Sequence, residues 1–182
     1  MPVTPIDGLY SDAAAVAGDL QKHGEISLLN SATDQFRKAL LLASASYFEH
    51  RMCATVLEYV RERSQGSELV TNFVSNKAIS RQYHTWFSWD AANANQFFGL
   101  FGRQFREEMV RRVNASEELR TGIEAFLELG NERNKLIHQN YVTFSLEKSL
   151  AEIYELYRKA LIFVDHIPDA LRGCDGRREG HG

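Results

Sequence analysis

Between Gly24 and Gly66 the sequence contains neither glycine nor proline. The stretch is rich in Ala, Leu, Glu, Arg and Gln, and its apolar residues return every three or four positions, which together specify a long α-helix. Phe36, Leu40, Ala43, Tyr47, His50, Ala54 and Leu57 fall on one stripe, and Leu42, Ala45, Glu49, Met52, Val56 and Tyr59 on another. A helix apolar on two sides must be covered on both. The spacing therefore predicts a helix over 27–64 inside an all-α bundle with additional short helices. Composition agrees: 182 residues, 44% hydrophobic and 25% charged, suffice for one packed core, and only 3 Pro and 12 Gly interrupt the runs between them.

The flanking segments extend the bundle. An Ala-rich run over 11–23 reads as a first helix closed by Gly24. Ser67 caps a helix over 68–82, and the aperiodic segment 83–90 is a packed connection to a short helix over 91–100. Residues 103–113 are amphipathic, with Phe105 and Met109 inward and Arg103, Arg106, Arg111 and Arg112 on a solvated face. The run Asn114-Ala115-Ser116-Glu117 offers N-caps for a helix over 116–140. Ser145 opens the last one, whose apolar side is Leu150, Ile153, Tyr154, Tyr157, Leu161 and Val164, with Pro168 marking its approach to an end. The expected organisation is a single helical domain over 1–172 and a Gly-rich, charged, disordered tail over 173–182. Trp86, Phe87, Trp89, Phe97, Phe98 and Phe101 are dense enough to be core rather than a base-stacking platform, and His50 and His84 read as packing histidines.

Charge and cysteine usage exclude several classes. A formal net charge of -3 is wrong for a protein that holds nucleic acid through its overall field, although a local basic site is compatible with it. Cys53, within an apolar helix, and Cys174, in a polar segment, form no disulfide framework and suit a reducing compartment. No Cys or His pair has metal-ligand spacing and no Gly-rich loop follows a strand, so neither a metal nor a cofactor is expected. No basic leader precedes an apolar run and no segment is long enough to span a membrane, which makes the cytoplasm the expected location.

One helix carries polar groups where its period calls for apolar ones. Ile123, Leu127, Gly130, Asn134, Ile137 and Tyr141 share a face of the 116–140 helix, and Asn134 interrupts it. His138 lies roughly 40° around the axis from Asn134, and Arg133 about 100° the other way, so the two flank the seam. Burying an amide, an imidazole and a guanidinium costs several kcal/mol unless they are paired or used. The bland alternative is a helix-end pair, with Glu132 or Glu128 holding Arg133 and His138 sitting at the helix terminus.

Arg133, Asn134 and His138 match the Arg-(four to six residues)-His motif, with a polar residue after the Arg, of the HEPN superfamily of helical ribonucleases and nucleotide-binding domains. The segment from Ala43 through Tyr47, Phe48, Glu49 and His50 to Arg51, with Asn95-Gln96-Phe97-Phe98-Gly99-Leu100-Phe101-Gly102, resembles the phage-defence-associated branch, including the RiboL-PSP and MAE_28990-like groups. Nearly all of residues 25–168 is covered in order. The resemblance implies an all-α HEPN-like bundle in which Glu49, from the long helix, stands beside the Arg and the His. It also implies RNA as substrate, a homodimer with a composite site, and an antitoxin or other defence-system partner. In HEPN toxins regulated by nucleotidyltransferases the modified tyrosine lies two residues after the His; Tyr141 lies three after.

The residue types suit that chemistry. Cleaving RNA without a metal needs a group to take the 2′-hydroxyl proton, a group to return a proton to the leaving 5′ oxygen, and donors on the phosphoryl oxygens. His138 suits proton transfer, Arg133 offers a charged fork to phosphate, Asn134 can bond the imidazole or the phosphate, and Glu49 can hold either in place. Arg51, Lys135 and Tyr141 are the candidates for contacting substrate. The expected products are a 2′,3′-cyclic phosphate and a 5′-hydroxyl. A noncatalytic module that binds RNA or a partner, or serves dimerisation, would use the same cluster without cleavage.

Overall fold

The stretch without glycine or proline is one helix, α2 (Ile26–Arg63), in a computed structural model that describes residues 3–175. Around it lie α1 (Pro5–Lys22), α3 (Glu68–Val74), α4 (Asn95–Gly99), α5 (Arg103–Ala115), α6 (Glu117–His138) and α7 (Leu150–Asp175), with no strand among the described residues. The fold is all-α. α7 packs along both α6 and α2, and α1 covers another side of α2. The buried line of α2 is Leu41, Ser44, Phe48, Met52 and Val56, which keeps Met52 and Val56 of the second expected stripe and otherwise runs between the two, while His50 and Ala54 face solvent. His50 is therefore not a core histidine. Two faces of α2 are covered by different helices, so the line of deepest burial falls between them.

Caps account for several boundaries. α1 begins six residues before the Ala-rich run because Thr4 and Asp7 form a reciprocal capping box with Pro5 in the first turn. Ser67 and Ser116 cap α3 and α6 as expected, through the Val70 and Leu119 amides. α7 starts at Leu150 rather than near 145 because Ser149 and Glu152 cap each other, the Ser149 amide reaching Glu152 Oε2 at 2.7 Å. α3 is shorter than expected: it passes at Ser75 into a π turn, and the Ala78 carbonyl takes the Trp86 indole N–H at 3.0 Å. That indole occupies the acceptor a continuing α-helix would need. Pro168 does not end α7. The ring removes an N–H donor and crowds the carbonyl four residues back, and burial of Ala170 and Leu171 beyond it holds the helix through to Asp175. The helix thus includes the first residues of the expected tail, whose remainder, 176–182, lies outside the described residues.

Phe48 of α2, Phe126 of α6 and Tyr157 and Phe163 of α7 meet at the centre, with Phe48 and Tyr157 stacked 5.2 Å apart and Phe126 edge-on to Phe163 at 5.1 Å. At Gly122 a Cβ would come within 3.0 Å of the Lys159 carbonyl, so glycine permits the close crossing of α6 on α7. Beyond α6 the 139–149 connection is tied back to α2. Buried Lys38 bonds the Tyr141 carbonyl at 2.9 Å and pairs with Asp34 at 2.8 Å, while Arg37 donates to the Leu146 carbonyl at 3.0 Å. These bonds fix the end of α6.

The Thr4–Asp7 cap also joins α1 to α7. The Tyr154 hydroxyl and the Arg158 guanidinium donate to Asp7 Oδ1, at 2.7 and 3.2 Å. Burial alone would raise the Asp7 carboxyl, but hydrogen bonds from Tyr154 and Thr4 and the charge of Arg158 hold it below its ordinary value. A lowered folded value stabilises above the ordinary 3.8 and ceases to do so as pH falls through the lower folded value. Asp7→Asn should cost about 1 kcal/mol at neutral pH, the scale of a lost cap. Chemical denaturation of the variant and the parent should show that gap closing as the pH is taken well below the ordinary carboxylate value.

Candidate active site

Gly130 of α6 is buried, and a Cβ there would overlap the six-membered ring of Trp89. The indole lies on bare backbone, its N–H bonded to the His84 carbonyl at 3.0 Å, among Tyr83, Phe87 and Phe126. This contact brings the 80–94 connection onto α6. Between them and α2 is a cavity of about 440 Å³. Ala45, Phe48 and Glu49 line it from α2; Arg81, Tyr83, His84 and Trp89 from the connection; and Phe126, Leu129, Gly130, Arg133, Asn134, Ile137 and His138 from α6. The wall is apolar and aromatic, and the ionisable groups stand on it.

Glu49 Oε2 lies 3.7 Å from Arg133, whose other terminal nitrogen donates to Asn134 Oδ1 at 3.1 Å. The helix neighbours that might have held Arg133 are engaged elsewhere: Glu132 with Lys135 at 2.7 Å and Glu128 with Lys148. Arg133 therefore reaches across to α2. The side chains of Arg133 and Glu49 are 33% and 43% exposed, so the pair adds little to stability and its effect is to orient the guanidinium. The Asn134 carbonyl is bonded to Arg133 rather than to the imidazole of His138, which is exposed on the last residue of α6.

The polar residues border a cleft and are not sealed in a dry seam. Ile123, Leu127 and Gly130 are buried as the period requires, but Ile137 and Tyr141 are 46% and 38% exposed. In the last turns Leu129 and Leu136 carry the burial, and the opposite edge of α6 is left to the cavity. Burial and then the negative charge of Glu49 push the Tyr83 phenol well above its normal range, which keeps it a neutral hydroxyl. The same two causes push the Cys53 thiol up to about 11, so Cys53 is inert packing.

A family model described as RiboL-PSP-HEPN matches residues 13–173. The chain belongs to the RiboL-PSP-HEPN family. No curated protein and no solved structure matches it. In this RiboL-PSP-HEPN domain the four residues expected to carry chemistry, Glu49, Arg133, Asn134 and His138, line one cavity. The three expected to contact substrate do not. Arg51 bonds Asp165 of α7 at 2.7 Å, Lys135 pairs with Glu132, and the Tyr141 hydroxyl donates to Gln35 at 3.2 Å.

Two cavity residues of this HEPN domain escape a reading of the sequence. His84 is exposed and lines the cavity instead of packing among the aromatics, and Arg81, also exposed, adopts a left-handed φ of 61°. Their segment has no period to reveal a face; the only cue was a cluster of Arg, Tyr, His and Trp in a connection, where functional groups tend to gather. Trp86, Phe87, Phe97 and Phe98 are buried core, as expected. The Gly130 contact makes a direct prediction. Gly130→Ala should displace the Trp89 indole, lowering stability by about 1–3 kcal/mol as an overpacking change and shifting tryptophan emission to the red. Unchanged emission and melting would show that the indole does not need the missing side chain.

Proposed function

We propose that the chain is a single domain over 1–172 that works as a metal-independent endoribonuclease of the HEPN type. The observation that supports this best is the convergence of Glu49, Arg133, Asn134 and His138, from two helices far apart in sequence, on one cavity. The family includes ribonucleases, and HEPN domains often bind RNA and dimerise. In the proposed reaction a ribose 2′-hydroxyl loses its proton to a base and attacks the adjacent phosphorus. The P–O5′ bond breaks, and the leaving oxygen gains a proton, giving a 2′,3′-cyclic phosphate and a 5′-hydroxyl. His138 makes one of the two proton transfers. Arg133 donates to the phosphoryl oxygens as charge gathers there, and Asn134 and Glu49 keep it aimed.

A homodimer facing two such clefts across a two-fold axis would place a second Arg133 and His138 along the same RNA. Lys135 and Tyr141, on and just beyond the last turn of α6, would meet flanking nucleotides on exchanging their contacts to Glu132 and Gln35, whereas Arg51 is committed to Asp165. An activity of this kind belongs in the cytoplasm, in a defence or toxin setting where a partner restrains it. No helix among the described residues is long and apolar enough to cross a membrane.

The test is cleavage of a labelled RNA by the purified chain. His138→Ala and Arg133→Ala should each lose on the order of 10²-fold or more in rate, cleavage should persist in excess chelator, and the products should carry cyclic phosphate ends. A His138→Ala variant as fast as the parent removes the mechanism. RNA binding without any cleavage by the parent favours a noncatalytic module.

A further inference from the structure

The reaction needs two proton transfers, and the Arg133–His138 motif supplies one imidazole. The cavity that holds it contains another. His84 lines the same cavity from the 80–94 connection, and its ring has no hydrogen-bond partner among the described residues. We infer that His84 is the second acid/base of this site, contributed by the same chain, so that each subunit carries both proton-transfer groups; this rests on the ribonuclease reading above.

The backbone around His84 is fixed while its side chain is free. Its carbonyl accepts the Trp89 indole N–H at 3.0 Å, the next carbonyl, of Thr85, accepts from the Gln96 amide at 2.6 Å, and Tyr83 before it is buried. A histidine serving only to pack would have its ring covered; here the main chain is locked and the imidazole is exposed to the cavity. Arg81 leads into the turn in a left-handed conformation that a non-glycine residue keeps only where its surroundings impose it, and such positions gather at functional sites. It too lines the cavity, exposed and without a carboxylate partner among the described residues. The ionisable groups on the cavity wall are thus Glu49, Arg81, Tyr83, His84, Arg133 and His138. Two guanidiniums and two imidazoles around one phosphodiester meet the full requirement of the reaction. One neutral imidazole takes the 2′-hydroxyl proton and the other, protonated, delivers one to the 5′ oxygen, so each cycle leaves the two with exchanged states that solvent resets.

Single-turnover cleavage of a labelled RNA across a series of pH values, with the full chain and its His84→Ala, His138→Ala and Arg133→Ala variants, tests this. The parent should give a bell-shaped profile. His84→Ala should fall by on the order of 10²-fold, lose one limb of the bell, melt at the parent temperature and recover part of its rate with added imidazole. If His138→Ala and Arg133→Ala are impaired but His84→Ala keeps the parent rate and both limbs, the inference about His84 is overturned and the ribonuclease reading stands. If His138→Ala matches the parent, or the parent leaves RNA intact, the underlying reading fails and takes this inference with it.

Discussion

The cleft depends on a contact that no side chain on α6 could make. Trp89 rests on Gly130 where a Cβ would overlap its ring, and that close approach draws a connection of irregular backbone onto the helix that carries Arg133, Asn134 and His138. The contact sets how closely the wall formed by Arg81, Tyr83, His84 and Trp89 approaches α6. Aromatic packing then locks the arrangement: Phe87 lies 4.9 Å from Phe126 and stacks on Phe97 at 5.0 Å, joining the connection to α6 and α4. Rings at this density resist deformation because an interior packs near the density of a crystal.

Electrostatics has a different task at this site. The Glu49–Arg133 pair is a third to two-fifths exposed and contributes direction more than stability. The opposite case is Lys38. It is 1% exposed, and its charge is tolerated because Asp34 and the Tyr141 carbonyl surround it. Through Lys38 and Arg37 the long helix grips the segment just after His138, so α2 determines both the partner of Arg133 and the position at which α6 stops. A single helix thereby sets the geometry of the cluster from two directions.

What could be read in advance followed from periodicity and caps. The bounds of α2 and α5, a cap just before α6 and the inward Phe105 and Met109 all follow from local rules, whereas Glu49 beside Arg133, Asn134 and His138 follows only from the likeness to the HEPN motif. Where local rules compete with tertiary contacts they failed. α7 runs through Pro168 because buried residues beyond it outweigh one missing hydrogen bond, and α3 gives way to a π turn at Ser75 whose Ala78 carbonyl is taken by the Trp86 indole. Arg81 and His84 were illegible for the same reason: their placement comes from Trp89 on Gly130, a contact across the fold that no spacing within either segment encodes. Lys38, lying off both apolar stripes, gave no sign of being buried.

In the proposed reaction the wall shared by α2, the connection and α6 holds the scissile phosphodiester. Histidine and arginine side-chain resonances, followed while the chain is titrated with an RNA oligomer made uncleavable by 2′-deoxy substitution, report on it most directly. Saturable shifts are expected at His138, His84 and Arg133, with Arg51, held by Asp165, unmoved. Shifts confined to residues outside the cavity, or none at saturating RNA, would contradict it.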